Sequence, residues 1–182
     1  MSHLLRGERL TLVRGGRLLF EGLELTLGSG DALHVKGVNG SGKSSLLRLA
    51  AGLLRPTAGR LERSGAALCD EALALDRELP LERALTIWGG VGLERAMEAF
   101  GLAALARVPV RLLSTGQAKR AALARVAASA APLWLLDEPL NGLDSDGKAR
   151  LGQAIAAHRR AGGGVLAASH LPLDGAWREL TL

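Results

Sequence analysis

The octapeptide Gly37-Val38-Asn39-Gly40-Ser41-Gly42-Lys43-Ser44 restricts the fold of this chain more than any other segment. It fits the pattern G-x-x-x-x-G-K-[ST], which works only between a strand and a helix. Both flanks read that way. Ala32-Leu33-His34-Val35 is a short apolar strand that ends at Gly37. From Lys43 to Leu54 the apolar residues fall at 46, 47, 49, 50, 53 and 54, which is helical spacing, and Pro56 is expected to stop the helix. The glycines let the backbone curl until successive N–H groups face one anion. Lys43 adds a compact positive charge for the β- and γ-phosphates, and Ser44 adds a hydroxyl for Mg²⁺. The helix start aims its positive end at the same place, and Ser45 is counted with the loop. The segment predicts binding of a nucleoside triphosphate.

A second acidic motif fits the first. Leu133-Trp134-Leu135-Leu136 is a continuous apolar run, as expected of a buried strand, and Asp137-Glu138 follows at its carboxyl end. Ligands of open α/β sheets bind at that edge. Asp137 is expected to hold Mg²⁺ and Glu138 to polarise the attacking water. Val165-Leu166-Ala167-Ala168 reads as another buried strand. Helices are expected over Gln117–Ala131, ended by Pro132, and over Asp146–Ala161, ended by Gly162-Gly163-Gly164. Glu82–Leu105 has helical composition broken by Gly89-Gly90 and Gly101. Near the start, Leu10–Val13 and the alternating Leu23, Leu25 and Leu27 form a hairpin about Gly15-Gly16. Strands alternating with helices imply a mostly parallel sheet with helices on both faces.

Composition narrows the classes. The 182 residues suit one domain with its own core. Aromatic content is 3% with no Tyr, so the core must come from Leu, Ala and Val. The net charge of +5 is spread over interleaved Arg and acids, so it reads as a solvated surface, and no nucleic-acid partner is expected. Cys69 is the single cysteine, which excludes an intrachain disulfide and reads as a buried inert thiol. No run reaches the roughly 18 apolar residues of a membrane span, and Met1–Glu8 has no signal-peptide character.

Leu113-Ser114-Thr115-Gly116-Gln117 opens a helix with a hydroxyl and free N–H groups, a second anion site. It cannot easily serve the same nucleotide as Lys43, because one phosphate site is already filled. Here the chain resembles the ATP-binding cassette family, whose signature is Leu-Ser-Gly-Gly-Gln; Thr115 replaces the first Gly. The resemblance implies a P-loop cassette with an N-terminal antiparallel β subdomain and a reduced helical subdomain. It implies one cassette over 1–182, with the helical signature part near 75–125. It further implies a head-to-tail homodimer, in which Ser114, Thr115, Gly116 and Gln117 cap the ATP of the other subunit. Asn141-Gly142-Leu143-Asp144 is similar to the D-loop, with Asp144 its acid, and His170 after Ser169 to the switch histidine. Catalysis would then fall to Glu138 and His170, with Mg²⁺ on Ser44 and Asp137.

Two departures stand out. The family places a Gln between phosphate loop and signature, yet the only glutamines here are Gln117 and Gln153. Asp70, Glu71 and Asp76 are the candidates to replace it. The family also stacks adenine on an aromatic; Arg14 stands at that place, with Phe20 the alternative. Local features narrow the resemblance to the cytochrome c maturation ATPases: Gly-Val-Asn-Gly, Val108-Pro109-Val110, Asp144-Ser145-Asp146-Gly147 and His170-Leu171-Pro172-Leu173. That implies a peripheral ATPase on the cytoplasmic face of a bacterial inner membrane, bound to integral membrane subunits.

Overall fold

The computed structural model describes residues 3–89 and 92–182. Two sheets form. In the first, β1 (Leu5–Arg14) lies between β2 (Arg17–Leu27) and β4 (Ala58–Arg63), all antiparallel. The hairpin about Gly15-Gly16 is as expected, and both glycines hold left-handed backbone there. In the second sheet the order is β5 (Ala66–Cys69), β6 (Leu133–Asp137), β7 (Gly164–Ala168), β3 (Ala32–Lys36) and β8 (Arg178–Thr181). Every pairing in it is parallel. The central strands β6 and β7 are buried at every position, the reason they read as unbroken apolar runs.

Helix α1 (Lys43–Ala50) follows β3, and α2 (Leu81–Thr86), α3 (Leu93–Ala99) and α4 (Thr115–Ala128) precede β6. Helix α5 (Ser145–Arg160) links β6 to β7. Leu46, Leu47 and Leu49 of α1 join Leu5, Leu10 and Leu27 of the antiparallel sheet and Leu135 and Leu166 of the parallel one in one core. Phe100, Leu123, Leu136, Ile155 and Val165 belong to the other core, on the helical side.

Some boundaries differ from the sequence expectation. Helix α1 stops at Ala50 rather than Leu54, because the left-handed Gly52 closes it before Pro56 acts. Helix α4 starts at Thr115, two residues early, because Ser114 caps it. It ends at Ala128, and Ala130 has φ 53°. The break expected at Gly89-Gly90 falls partly on Gly90, outside the described residues. Strands β4, β5 and β8 are not expected from the sequence. β4 is mostly exposed, β8 is a polar edge strand, and β5 has only four residues, so none carries strong periodicity.

Candidate active site

Four neighbouring strands of the parallel sheet deliver the site at their carboxyl ends. β3 runs into the phosphate loop, β6 into Asp137-Glu138, β7 into Ser169-His170 and β5 into Asp70-Glu71. They surround a cavity of about 530 Å³. Of the residues expected from sequence, Arg14, Asn39, Gly40, Gly42, Lys43, Ser44, Ser45, Asp137, Glu138 and His170 line it. Gly37, Val38 and Ser41 belong to the loop but not to the lining. Ser114, Thr115, Gly116, Gln117 and Asp144 also lie outside it.

The loop depends on Gly42. Its φ of 110° suits glycine, and a Cβ there would come within 3.1 Å of Leu19 and 3.3 Å of the Phe20 ring. Phe20 is therefore a buried buttress behind the loop, not a face for a base; Arg14 is the one of the pair that lines the cavity. Its Nη1 donates to Ser45 Oγ at 3.4 Å. Lys43 is 7% exposed, and its Nζ donates to the carbonyls of Gly37 at 2.7 Å and Val38 at 3.1 Å. The first turn of α1 has no side-chain cap, so its N–H groups remain available to an anion.

Asp137 is buried at the end of β6. Burial raises its carboxyl above the ordinary range, and the charge of Glu138 pushes the same way, while a hydrogen bond from Ser44 opposes them. A hydroxyl beside a carboxylate is an oxygen donor pair that suits Mg²⁺, which takes few protein ligands and completes its shell with phosphates and water. Among the described residues no group of three or more His, Cys, Asp or Glu is placed to hold a metal ion. Glu138 has φ 43°, a strained value for a non-glycine residue. Its N–H donates to Ala168 O at 2.8 Å, tying it to β7. The His170 N–H donates to Glu138 Oε2 at 3.4 Å, and His170 Nε2 lies 3.5 Å from Glu138 Oε1.

The three acids offered for the missing glutamine separate cleanly. Asp70 faces Arg48 at 3.6 Å and accepts from the Ala72 N–H at 3.1 Å. Asp76 accepts from the Glu78 N–H at 3.0 Å. Glu71 alone of the three lines the cavity. Leu19 and Asn141 line it too, and nothing in their types had marked Leu19.

Away from the cavity, Ser114 and Gln117 form a reciprocal cap on α4, with Gln117 N–H to Ser114 Oγ at 3.2 Å and Ser114 N–H to Gln117 Oε1 at 2.9 Å. Asp144 caps α5 through the Gly147 N–H at 2.8 Å. A Cβ on Gly116 would sit 3.1 Å from Gly142 O, so the two segments meet edge to edge. Cys69 is buried, and burial pushes its thiol up, as expected of an inert cysteine.

The family pattern described as ABC transporter matches residues 20–141. The chain belongs to the ABC transporter ATP-binding cassettes. As a member of that family it is an ATP-hydrolysing cassette. Its fold is similar to that of a putative ABC transporter ATP-binding protein from Pyrococcus furiosus, with TM-score 0.86, 22% identity and coverage of 100% of this chain and 98% of that one. It is also similar to the ADP conformation of another ATP-binding cassette, with TM-score 0.76, 19% identity and coverage of 95% and 84%. Among curated relatives, the cytochrome c biogenesis ATP-binding export protein CcmA of Sphingopyxis alaskensis is 58% identical, over 95% of this chain and 93% of that one. The protein of the same description from Novosphingobium aromaticivorans is 60% identical, over 88% and 85%.

Proposed function

We propose that this cassette hydrolyses MgATP to drive a cytochrome c maturation transporter, the role carried by the names of its relatives. The observation that supports the site assignment is the convergence of four strand ends on one cavity lined by Lys43, Ser44, Asp137, Glu138 and His170. Lys43 and the uncapped start of α1 bind the β- and γ-phosphates. Arg14 offers a flat guanidinium to the base. Ser44 and Asp137 hold Mg²⁺, which when bound neutralises charge on the phosphates. Glu138 takes hydrogen bonds from the attacking water, and His170, beside its carboxylate, keeps that water in line with the γ-phosphate.

In this reading the cassette works as a head-to-tail homodimer. Ser114 and the amides of Thr115 and Gly116 face the γ-phosphate held by the partner, and Asp144 belongs to the loop between the two sites. The helical part near 75–125, with α2, α3 and the signature, is the side that meets integral membrane subunits. Among the described residues no helix is long and apolar enough to cross a membrane. The cassette would dock peripherally on the cytoplasmic face of a bacterial inner membrane, and ATP turnover would serve haem delivery for c-type cytochromes. In this reading haem handling belongs to the membrane partners.

Complementation tests the role. In a bacterium deleted for its own CcmA, this chain restores covalently haem-stained c-type cytochromes, and Glu138→Gln does not. In purified protein, Glu138→Gln keeps ATP binding while turnover falls by about 10²- to 10⁴-fold. Full turnover in Glu138→Gln refutes its role; failed complementation by an active chain refutes the cytochrome assignment.

A further inference from the structure

The cavity holds an acid that the mechanism above does not use. Its charged lining comprises Arg14 and Lys43 together with Glu71, Asp137 and Glu138. Asp137 is buried at the end of β6, and Glu138 has His170 beside it, Nε2 to Oε1 at 3.5 Å. Glu71 is exposed, and none of the hydrogen bonds or ion pairs among the described residues engages its carboxylate.

The backbone that presents Glu71 is held on both sides. Before it, the buried Arg125 of α4 donates to Leu68 O at 2.6 Å, and its guanidinium lies 4.8 Å from the centre of the Trp88 ring. Beside it, Arg48 of α1 faces the Asp70 carboxylate, whose other oxygen accepts the Ala72 N–H. Glu71 is the middle residue of that turn. The Arg48–Asp70 ion pair links the residue before it to the helix that starts at the phosphate loop, and the Glu71 side chain stands at the cavity wall.

A carboxylate so placed treats the two forms of a triphosphate differently. A metal-free triphosphate brings several negative charges to a wall already carrying three acids. The divalent-cation complex would bring positive charge that offsets those acids. A neutral amide at 71 could still offer an oxygen to the cation, but it would not repel the free anion. Resting on the nucleotide reading of this site, we infer that Glu71 is a specificity residue. Its charge disfavours metal-free nucleotide and makes capture depend on the divalent complex.

Titration calorimetry of ATP against the whole chain, once in EDTA and once in excess MgCl₂, tests this. The readout is the ratio of the two affinities. Glu71→Gln, nearly isosteric and exposed, should tighten binding in EDTA by about fivefold and lower the Mg²⁺/EDTA ratio by at least that factor. Glu94→Gln makes the same charge change on α3, at a different cavity, and should keep the wild-type ratio. Raising the salt should shrink the gap between wild type and Glu71→Gln. An unchanged ratio in Glu71→Gln, or an equal fall in Glu94→Gln, overturns the assignment while ATP binding by the wild type leaves the nucleotide site standing. A wild type that binds ATP in neither buffer overturns the nucleotide reading itself.

Discussion

Two helix starts in this molecule look alike in sequence and are built in opposite ways. Helix α1 begins at Gly42 with left-handed backbone and no side-chain cap, next to a buried Lys43 and a buried Asp137. Helix α4 begins at Ser114, exposed, with Gln117 returning the hydrogen bond in a closed capping box. The first leaves its N–H groups to a ligand; the second satisfies its own. A self-capped start needs no phosphate to be stable, so α4 can stand at the surface. Ser114 Oγ accepts from Gln117 and still has its own proton to donate, and the Thr115 and Gly116 amides stay free. The Ser114 start is thus a finished surface, whereas the Gly42 start leaves its first N–H groups without a side-chain partner.

The sharpest way to break this comparison is to remove the charge at the Gly42 start. Lys43→Ala should weaken ATP binding by about 2–5 kcal/mol, read by titration calorimetry, because it removes a buried charge-assisted contact. Retained affinity would mean that the α1 start is not the phosphate site. Ser114→Ala should leave ATP affinity of the isolated chain unchanged, yet cost about 1 kcal/mol of stability through the lost cap. Differential scanning calorimetry would register that as a drop of a few degrees in Tm, about 2–4 °C for a chain of this size. A fall in monomer ATP affinity on Ser114→Ala would merge the two sites that the comparison separates.

The smallest effect comes from a group outside both regions. His158 stacks on Trp134 at 4.0 Å between ring centres, and burial holds its pKa below the ordinary value. The sign follows directly. The unfolded chain takes up a proton here before the fold does, so this contribution is complete above the unfolded value of about 6.5 and is lost as pH falls through the depressed folded value. His158→Phe keeps a stacked ring without a titrating nitrogen, so its Tm should fall less than wild type on acidification. Parallel Tm-versus-pH curves would remove His158 from the account.

The phosphate loop, the acidic pair and the signature were legible in the sequence because each is contiguous and its chemistry depends on local backbone. The glycine pattern, the apolar run before Asp137 and the Ser-x-x-Gln cap all act within a few residues. Burial of β6 and β7 was legible for the same reason: unbroken apolar runs have one use in a sheet. Strands β4 and β8 were not, because their residues gain strand character only by pairing with β1 and β3.

What the sequence by itself determined is the socket from Gly37 to Ser44 and the strand-and-helix setting that makes it one. It could not choose between Asp70, Glu71 and Asp76, and it put Arg14 ahead of Phe20 from chain position alone, because each choice turns on what faces the cavity. Tertiary structure decided both. Arg48 takes Asp70, Asp76 caps its own turn, and Glu71 is left at the wall. Phe20 is consumed in backing Gly42, and Arg14 is left at the cavity. Side-chain direction comes from strand order and packing between distant segments, which no local pattern encodes.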